Sequence, residues 1–375
     1  MNRFKVLILG GYGNFGKRIA ENLAQQANFA VLIAGRDIQS AEALCNALHS
    51  SESPAQFQAV QIDVFSRDFT AYLKRLAPNL VIHTSGPFQG QDYSVPLACI
   101  DANCHYIDLA DDRRFVCDIA QLDEKAKTRN LCIISGASSV PGLSSAVVEK
   151  HSGEFRRLEE IDFCIAPGNK AERGLATVKG ILSYTGRPFK VLEHGEWQNR
   201  YGWMSPRKVT FVGPVGTRWL ANVDIPDLEL FPQRYQGVQT VRFQAGLELR
   251  FLHFVMVGMA FLAKLGIVRN WAPLAKPVFK TSELFASFGS DVGGMRIALR
   301  GLDHKGGDRR ITWTLTANKG IGPYIPTISA VILAKKLAAG DPIQTGAMAC
   351  VGLFSLDDFD KEVAGLDISH TIEIE

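Results

Sequence analysis

The sequence predicts an α/β protein with an N-terminal doubly wound domain, a second α+β domain with a largely antiparallel sheet, and a C-terminal helix crossing back to the first domain. Three observations carry this. Short apolar runs alternate with helical spacings over the first 135 residues. A glycine-rich turn joins the first run to the first helix, and beyond residue 150 the pattern changes to alternating runs of hairpin type.

The run Val6, Leu7, Ile8, Leu9 is unbroken and apolar, which suits a central parallel strand buried on both faces. Gly10, Gly11, Gly13 and Gly16 follow, and they fit Gly11-x-Gly13-x-x-Gly16 and Gly10-x-x-Gly13-x-x-Gly16 equally. Phe15, Ile19 and Leu23 then recur every four residues, one apolar face of a helix. Ala30–Ala34 is the second strand. Onward come helix 39–49, strand 57–63, helix 67–76, strand 79–85, helix 92–102, strand 105–109, helix 113–128 and a strand in "LCIIS" at 131–135. Six short strands separated by helices describe an open sheet, and ligands of such sheets lie beyond the carboxyl ends of the strands.

Past "GASSVPGLSSAVVEK", Ile161, Phe163 and Ile165 alternate with polar residues, and "GGMRIALRGLDHKGGDRRITWTLTAN" reads as two alternating runs joined by the turn Asp303–Asp308. "PYIPTISAVILAKKLAAGDP" has Pro326 in the first turn of a helix and Gly340 at its end. "TGAMACVGLFSLDDF" reads as a further helix capped near Ser355, before a final strand "HTIEIE". The expected boundaries are a nucleotide-binding domain at 1–137, a substrate and dimerisation domain at 138–325, and a segment at 326–375 returning to the first domain.

The glycine turn bears on ligand chemistry. Gly10, Gly11, Tyr12, Gly13, Asn14, Phe15 and Gly16 put bare backbone and the first N–H groups of a helix at the strand end, where a pyrophosphate fits. About 20 residues further, an acid would take the 2′-hydroxyl of NAD. Gly35 stands there instead, with Arg36 next, so the expected cofactor is NADP in preference to NAD. Asp63 and Val64, after the third strand, are candidates for the adenine edge, with a turn-capping role equally open for Asp63. The turn Ser85, Gly86, Pro87, Phe88 follows the fourth strand, where the nicotinamide half begins. Tyr106 and Asp108 lie on one side of the fifth strand and are the candidates for proton transfer, with Asp108 also able to fix a ribose. Arg173 and Lys179, around a helix start in the second domain, are candidates to meet a substrate carboxylate.

Composition narrows the partners. There are 41 Lys plus Arg against 38 Asp plus Glu in 375 residues, and that balance gives no reason to expect nucleic acid. The seven cysteines contain no C-x-x-C pair and the N-terminus enters a strand, so a reduced, cytoplasmic protein without a metal is expected. Residues 251–268, "FLHFVMVGMAFLAKLGIV", are read as a buried or interface helix in preference to a membrane span, and membrane contact is considered through this segment alone.

The glycine loop, the Gly86-Pro87-Phe88 turn followed by "CIDANCHYIDL", and "GASSVPGLSSA" together resemble the saccharopine dehydrogenase-like oxidoreductases, and "AKKLAAG...TGAMACVGL" extends the likeness to the C-terminus. The resemblance implies an NADP-binding Rossmann domain, a substrate and dimerisation domain, a homodimer, and hydride transfer at a carbon–nitrogen bond of an amino-acid-like substrate. Tyr106 and Asp108 match that family's Tyr-x-Asp, but "ADD" stands where a Gly-Glu pair is usual, so saccharopine itself does not carry over as substrate. Two alternatives stay open: a reductase of an apolar enoyl or keto compound, and a protein that binds NADP without turnover.

Overall fold

The computed structural model describes residues 3–51 and 53–375. The chain forms two units. One holds the residues up to Leu143 with Tyr324–Phe354, and the other holds Ser144–Pro323 with Ser355–Glu375.

The chain opens with β1 (Phe4–Leu9), α1 (Asn14–Leu23), β2 (Phe29–Gly35), α2 (Ile38–Ser50), β3 (Gln56–Gln61), α3 (Phe69–Leu76) and β4 (Leu80–His83). It continues with α4 (Ser94–Asp101), β5 (His105–Asp108), α5 (Arg113–Cys117), α6 (Asp123–Thr128) and β6 (Cys132–Ser135). The second unit follows with α7 (Ser144–Ser152), β7 (Arg157–Ala166), α8 (Leu175–Tyr184), β8 (Pro188–Glu193), β9 (Glu196–Tyr201), β10 (Arg207–Thr210) and β11 (Thr217–Asn222). After α9 (Asp227–Arg234), β12 (Thr240–Ala245), α10 (Arg250–Lys264), α11 (Ala275–Glu283), β13 (Gly293–Leu302) and β14 (Asp308–Ala317), the chain returns to the first unit as α12 (Ile325–Ala339) and β15 (Gly346–Ala349). It ends in the second unit with α13 (Leu356–Glu362) and β16 (Ile368–Ile374).

The first sheet is parallel throughout, in the order β15-β6-β5-β4-β1-β2-β3. The strand order reverses between β1 and β4, which makes that crevice the topological switch point. Val6–Leu9 have no exposed surface, as an unbroken apolar run between two covered faces requires. Each leucine so buried contributes about 1.5–3 kcal/mol. Of the stripe predicted on α1, Ile19 and Leu23 are buried and Phe15 is half-buried, with Ala20 buried beside them. Along α12, apolar on every side, Ile328 and Ala330 to Ala334 are buried, as such a helix must be. Tyr324, just before α12, donates its hydroxyl to Glu21 of α1 at 2.6 Å and lies under the Arg18 guanidinium at 5.1 Å.

The second sheet has the order β10-β11-β12-β7-β13-β14-β16, antiparallel except for β12 beside β7, and β8 with β9 forms a separate hairpin. The expected hairpin is β13–β14. Asp303 closes its turn by accepting Lys305 N–H and Gly307 N–H at 2.8 Å each.

Three expectations differ. The stretch read as a helix before Ser355 contains β15, a seventh parallel strand beside β6, and Ser355 instead caps α13 in a reciprocal capping box with Asp358. The final strand pairs with β14, so Ser355–Glu375 groups with the second unit and not the first. The single helix expected at 113–128 is broken into α5, a 3₁₀ turn at Asp118–Leu122, and α6. Asp112 caps α5 by accepting Phe115 N–H at 2.9 Å.

Candidate cofactor site at the carboxyl edge of the first sheet

The turn from β1 to α1 is built from close backbone approaches. Gly10 has φ +74°, and a Cβ on it would lie 2.7 Å from Ser85 Oγ and 2.9 Å from Thr84 Oγ1. A Cβ on Gly16 would fall 2.2 Å from Gly10 O, so only glycine lets α1 start this close to the turn. At Gly11 it would meet Ile33 Cγ2 and Ile8 O at 2.9 Å each. Gly13 differs: Gly10 O, at 3.1 Å, is the one described heavy atom within 4 Å of such a Cβ outside its chain neighbours. Both spacings proposed for the motif therefore use constrained positions, and Gly13 is the exposed one of the four glycines, tight only against Gly10 O. Gly10 and Gly11 N–H go to Ala34 O at 2.9 Å each, and Gly13 N–H goes to Gly10 O at 2.9 Å. The bonds of α1 itself begin with Lys17 N–H to Gly13 O. The first turn of α1, with the positive end of its dipole, starts at this exposed glycine.

Tyr12 takes part in a way that the motif does not announce. Its ring packs on Gly35, where a Cβ would come 2.4 Å from Tyr12 Cε1, and its hydroxyl accepts Asp37 N–H at 3.0 Å. Asp37 in turn caps α2 through Gln39 N–H at 3.1 Å and accepts Ser40 Oγ–H at 2.6 Å. Arg36 is exposed at the end of β2, and its guanidinium makes no hydrogen bond or ion pair among the described residues. Asp63 closes the turn after β3 by accepting Phe65 N–H at 3.0 Å, while Val64 packs against the core.

The turn after β4 is stapled to β1. Thr84 donates its hydroxyl to Leu9 O at 2.8 Å, and the Gln91 amide donates to Ser85 O at 3.1 Å and Pro87 O at 2.8 Å. Phe88 is buried with its ring edge-on to His83 at 5.1 Å.

Beneath that turn, at the ends of β4, β5 and β6, His83, Tyr106, Asp108 and Ser135 are buried without exposed surface. The Tyr106 hydroxyl pairs with His83 Nδ1 at 3.2 Å. Asp108 Oδ1 accepts Ser135 Oγ–H at 2.9 Å, Gly136 N–H at 2.8 Å and Ala110 N–H at 2.9 Å. Burial raises the Asp108 carboxyl to about 6 against these donors, with the Tyr106 hydroxyl acting with them to lower it. Burial alone brings His83 down to about 4, and burial with the Asp108 charge raises the Tyr106 hydroxyl well above its usual value. At neutral pH the cluster therefore contains one charge, on Asp108. His105, on the other face of β5, accepts Cys132 N–H at 3.0 Å through Nδ1.

The elements thus bring together the glycine turn, Gly35, the Ser85–Phe88 turn and the end of β5. Arg173 and Lys179 belong to the second unit. Arg173 donates to Asn169 O at 2.6 Å and Asn169 Oδ1 at 3.1 Å, and Lys179 is exposed on α8. Sequence reasoning passed over His83. Its signal was available: a polar side chain inside an otherwise apolar, doubly covered strand needs a partner. Among the described residues no group of three or more His, Cys, Asp or Glu is placed to hold a metal, and no helix is long and apolar enough to cross a membrane.

A parallel sheet with this strand order and a glycine turn leading into a helix at its switch point define a Rossmann-type nucleotide-binding domain. Residues 6–134 match the family model described as saccharopine dehydrogenase NADP binding domain, about a third of the chain. No curated protein matches the sequence. Among solved structures, apo saccharopine dehydrogenase (L-Glu forming) from Saccharomyces cerevisiae is similar with a TM-score of 0.68 and 14% identity, covering 98% of this chain and 99% of that one. The bulky-bulky ketone specific alcohol dehydrogenase from Comamonas testosteroni matches over 36% of this chain and 72% of its own at 13% identity, with a TM-score of 0.29. The first likeness establishes a shared fold over both units.

Proposed function

We propose that this chain is an NADP-dependent oxidoreductase that moves a hydride to or from a carbon–nitrogen bond of an amino-acid-like small molecule, as a cytoplasmic homodimer. The exposed backbone of Gly13 where α1 starts, at the switch point of the sheet, is the observation that carries the cofactor reading. The uncommitted Arg36 guanidinium supports the 2′-phosphate. The whole-chain fold likeness to an enzyme titled saccharopine dehydrogenase supports the carbon–nitrogen bond.

NADP, when bound, supplies the hydride acceptor or, reduced, the donor. In this reading the amides from Asn14 to Gly16 hold its pyrophosphate, Arg36 its 2′-phosphate, Asp63 and Val64 border the adenine, and the Ser85–Phe88 turn positions the nicotinamide half. Asp108 gives or takes the proton with the Tyr106 hydroxyl held neutral beside it, and Arg173 and Lys179 attract a substrate carboxylate. Arg173 would have to give up part of its hold on Asn169 to do so. A second reading, an apolar enoyl or keto substrate, draws on the exposed apolar side chains of α10 in the substrate unit.

The test is two-part. Titration of the protein with NADPH and NADH, followed by fluorescence, should show tighter binding of NADPH. A panel of amino acids, of keto acids with an amine, and of enoyl compounds should then yield turnover in one of the first two classes. Tighter NADH binding would overturn the cofactor reading, and turnover on enoyl compounds alone would replace the substrate reading.

A further inference from the structure

The helix α10 faces outward with its apolar side. Phe251, Phe254, Val255, Phe261 and Leu262, continued by Leu265, are all exposed, at the spacing of a single helical face. The opposite face buries His253, Met256 and Ala260 against a core that includes Leu182, Trp203 and Ala275. A surface helix ordinarily has this polarity reversed. Of the sixteen large hydrophobic side chains exposed among the described residues, ten fall between 251 and 288. The surface continues beyond the helix, since Phe251 meets Phe285 edge-on at 4.9 Å and Phe285 lies 6.4 Å from Phe288. Contiguous apolar surface of this kind marks a place of contact.

Charge identifies the partner. Residues 250–288 contain Arg250, Lys264, Arg269, Lys276 and Lys280 against the single carboxylate of Glu283, an excess larger than the net +3 of the whole chain. All five cations are exposed. One of them borders the aromatic surface directly: the Arg250 guanidinium lies 5.8 Å from the Phe254 ring, while Lys264 Nζ lies 4.4 Å from the Tyr201 ring of β9. A second copy of the chain would fit poorly, because a two-fold contact sets the same patch against itself and would gather ten cations around two carboxylates. An anionic lipid surface satisfies both features at once. Aromatic and aliphatic side chains enter the boundary between headgroups and acyl chains, and lysines and arginines meet phosphates. At 15 residues α10 is too short to span a bilayer, so it would lie along the surface.

We propose that the outer face of α10, with the segment running to Phe288, docks this protein on the surface of an anionic phospholipid bilayer. The proposal is independent of the reaction assigned to the first unit, and it leaves the homodimer to another surface.

The test is co-sedimentation of the full chain with sucrose-loaded vesicles, of phosphatidylcholine alone or of phosphatidylcholine mixed with phosphatidylglycerol. Partition onto the mixed vesicles should be at least about tenfold stronger and should weaken with salt. Phe261→Glu with Leu265→Glu, two exposed positions, should reduce that partition by about tenfold or more with an unchanged circular dichroism spectrum. Lys276→Glu with Lys280→Glu should reduce it on the mixed vesicles only. Equal partition onto both vesicle types, or none onto either, would overturn the proposal. So would a dimer in analytical ultracentrifugation that Phe261→Glu with Leu265→Glu dissociates while vesicles are ignored, since the face would then belong to a second copy.

Discussion

The Tyr12 ring lies so close over Gly35 that a Cβ on the glycine would come within 2.4 Å of it. Tyr12 comes from the turn after β1 and Gly35 from the end of β2, and the Tyr12 hydroxyl also holds the amide of Asp37, fixing the start of α2. This packing explains the missing acid at the end of β2. A carboxylate there for the 2′-hydroxyl of NAD would have to push the Tyr12 ring off its place on the turn, and the first side chain past it is the cation of Arg36.

Arg36→Ala should therefore weaken NADPH binding by at least about 1.5 kcal/mol, the lower range for a charged hydrogen bond, and leave NADH nearly unaffected. Calorimetric titration of both cofactors measures this. Equal losses for the two would remove Arg36 from the phosphate site.

Two glycines of the same loop should respond differently to a side chain. At Gly13, which is exposed and meets only Gly10 O at 3.1 Å, the added atoms of Gly13→Val project over the start of α1, so NADPH binding should be abolished while the far-ultraviolet circular dichroism spectrum stays close to wild type. At Gly16 even one carbon meets Gly10 O at 2.2 Å, so Gly16→Ala should lower the melting temperature as well. Retained affinity in Gly13→Val would mean that the loop only turns the chain.

How much of this was legible follows from the range of each interaction. The strand, turn and helix from Phe4 to Leu23 were readable because each step is local: an apolar run, bare backbone, an apolar stripe. So were β13 and β14, whose alternation and turn lie within 25 residues. The strand β15 was not. "GAMA" has neither alternation nor β-branched residues, and it is a strand because β6 offers it an edge. The contact of Tyr12 with Gly35 leaves no periodic trace, and although alternation pairs Tyr106 with Asp108 on one face of β5, nothing periodic adds His83 and Ser135, which come from two other strands.

That cluster should tilt the pH dependence of stability in opposite senses. Asp108 is raised to about 6 in the folded chain, so its contribution is full below the unfolded value near 3.8 and is lost as pH rises through about 6. His83 is lowered to about 4, so its contribution is full above its unfolded value near 6.5 and is lost as pH falls through about 4. Between about pH 4 and 6 the two slopes oppose each other, each at most about 1.4 kcal/mol per pH unit. Relative to wild type, Asp108→Asn should gain on the order of 3 kcal/mol as pH rises across that window, and His83→Gln should lose a similar amount. Urea denaturation at pH 4, 5, 6 and 7 reads both. Profiles parallel to wild type would mean that neither group titrates as its burial demands.

The last prediction concerns the chemistry of Asp108. Oδ1 takes three donors from Ser135, Gly136 and Ala110, which ties the end of β5 to the end of β6 at the edge where the nicotinamide half is proposed to sit. Asparagine can offer its carbonyl oxygen to the same three donors, so Asp108→Asn removes the ionisation and keeps the tie. If the carboxyl handles the proton, NADPH affinity should change little while turnover on a substrate from the panel falls by about a hundredfold or more. The acid limb of the pH–rate profile, expected near the raised value of about 6, should disappear with it. A fall in affinity matching the fall in turnover would reassign Asp108 to holding the cofactor. Unimpaired turnover would leave it the structural role alone, and the proton would then have to come from a group outside the buried cluster, because neutral His83 and the raised Tyr106 hydroxyl are both poorly suited to give up or take one near neutral pH.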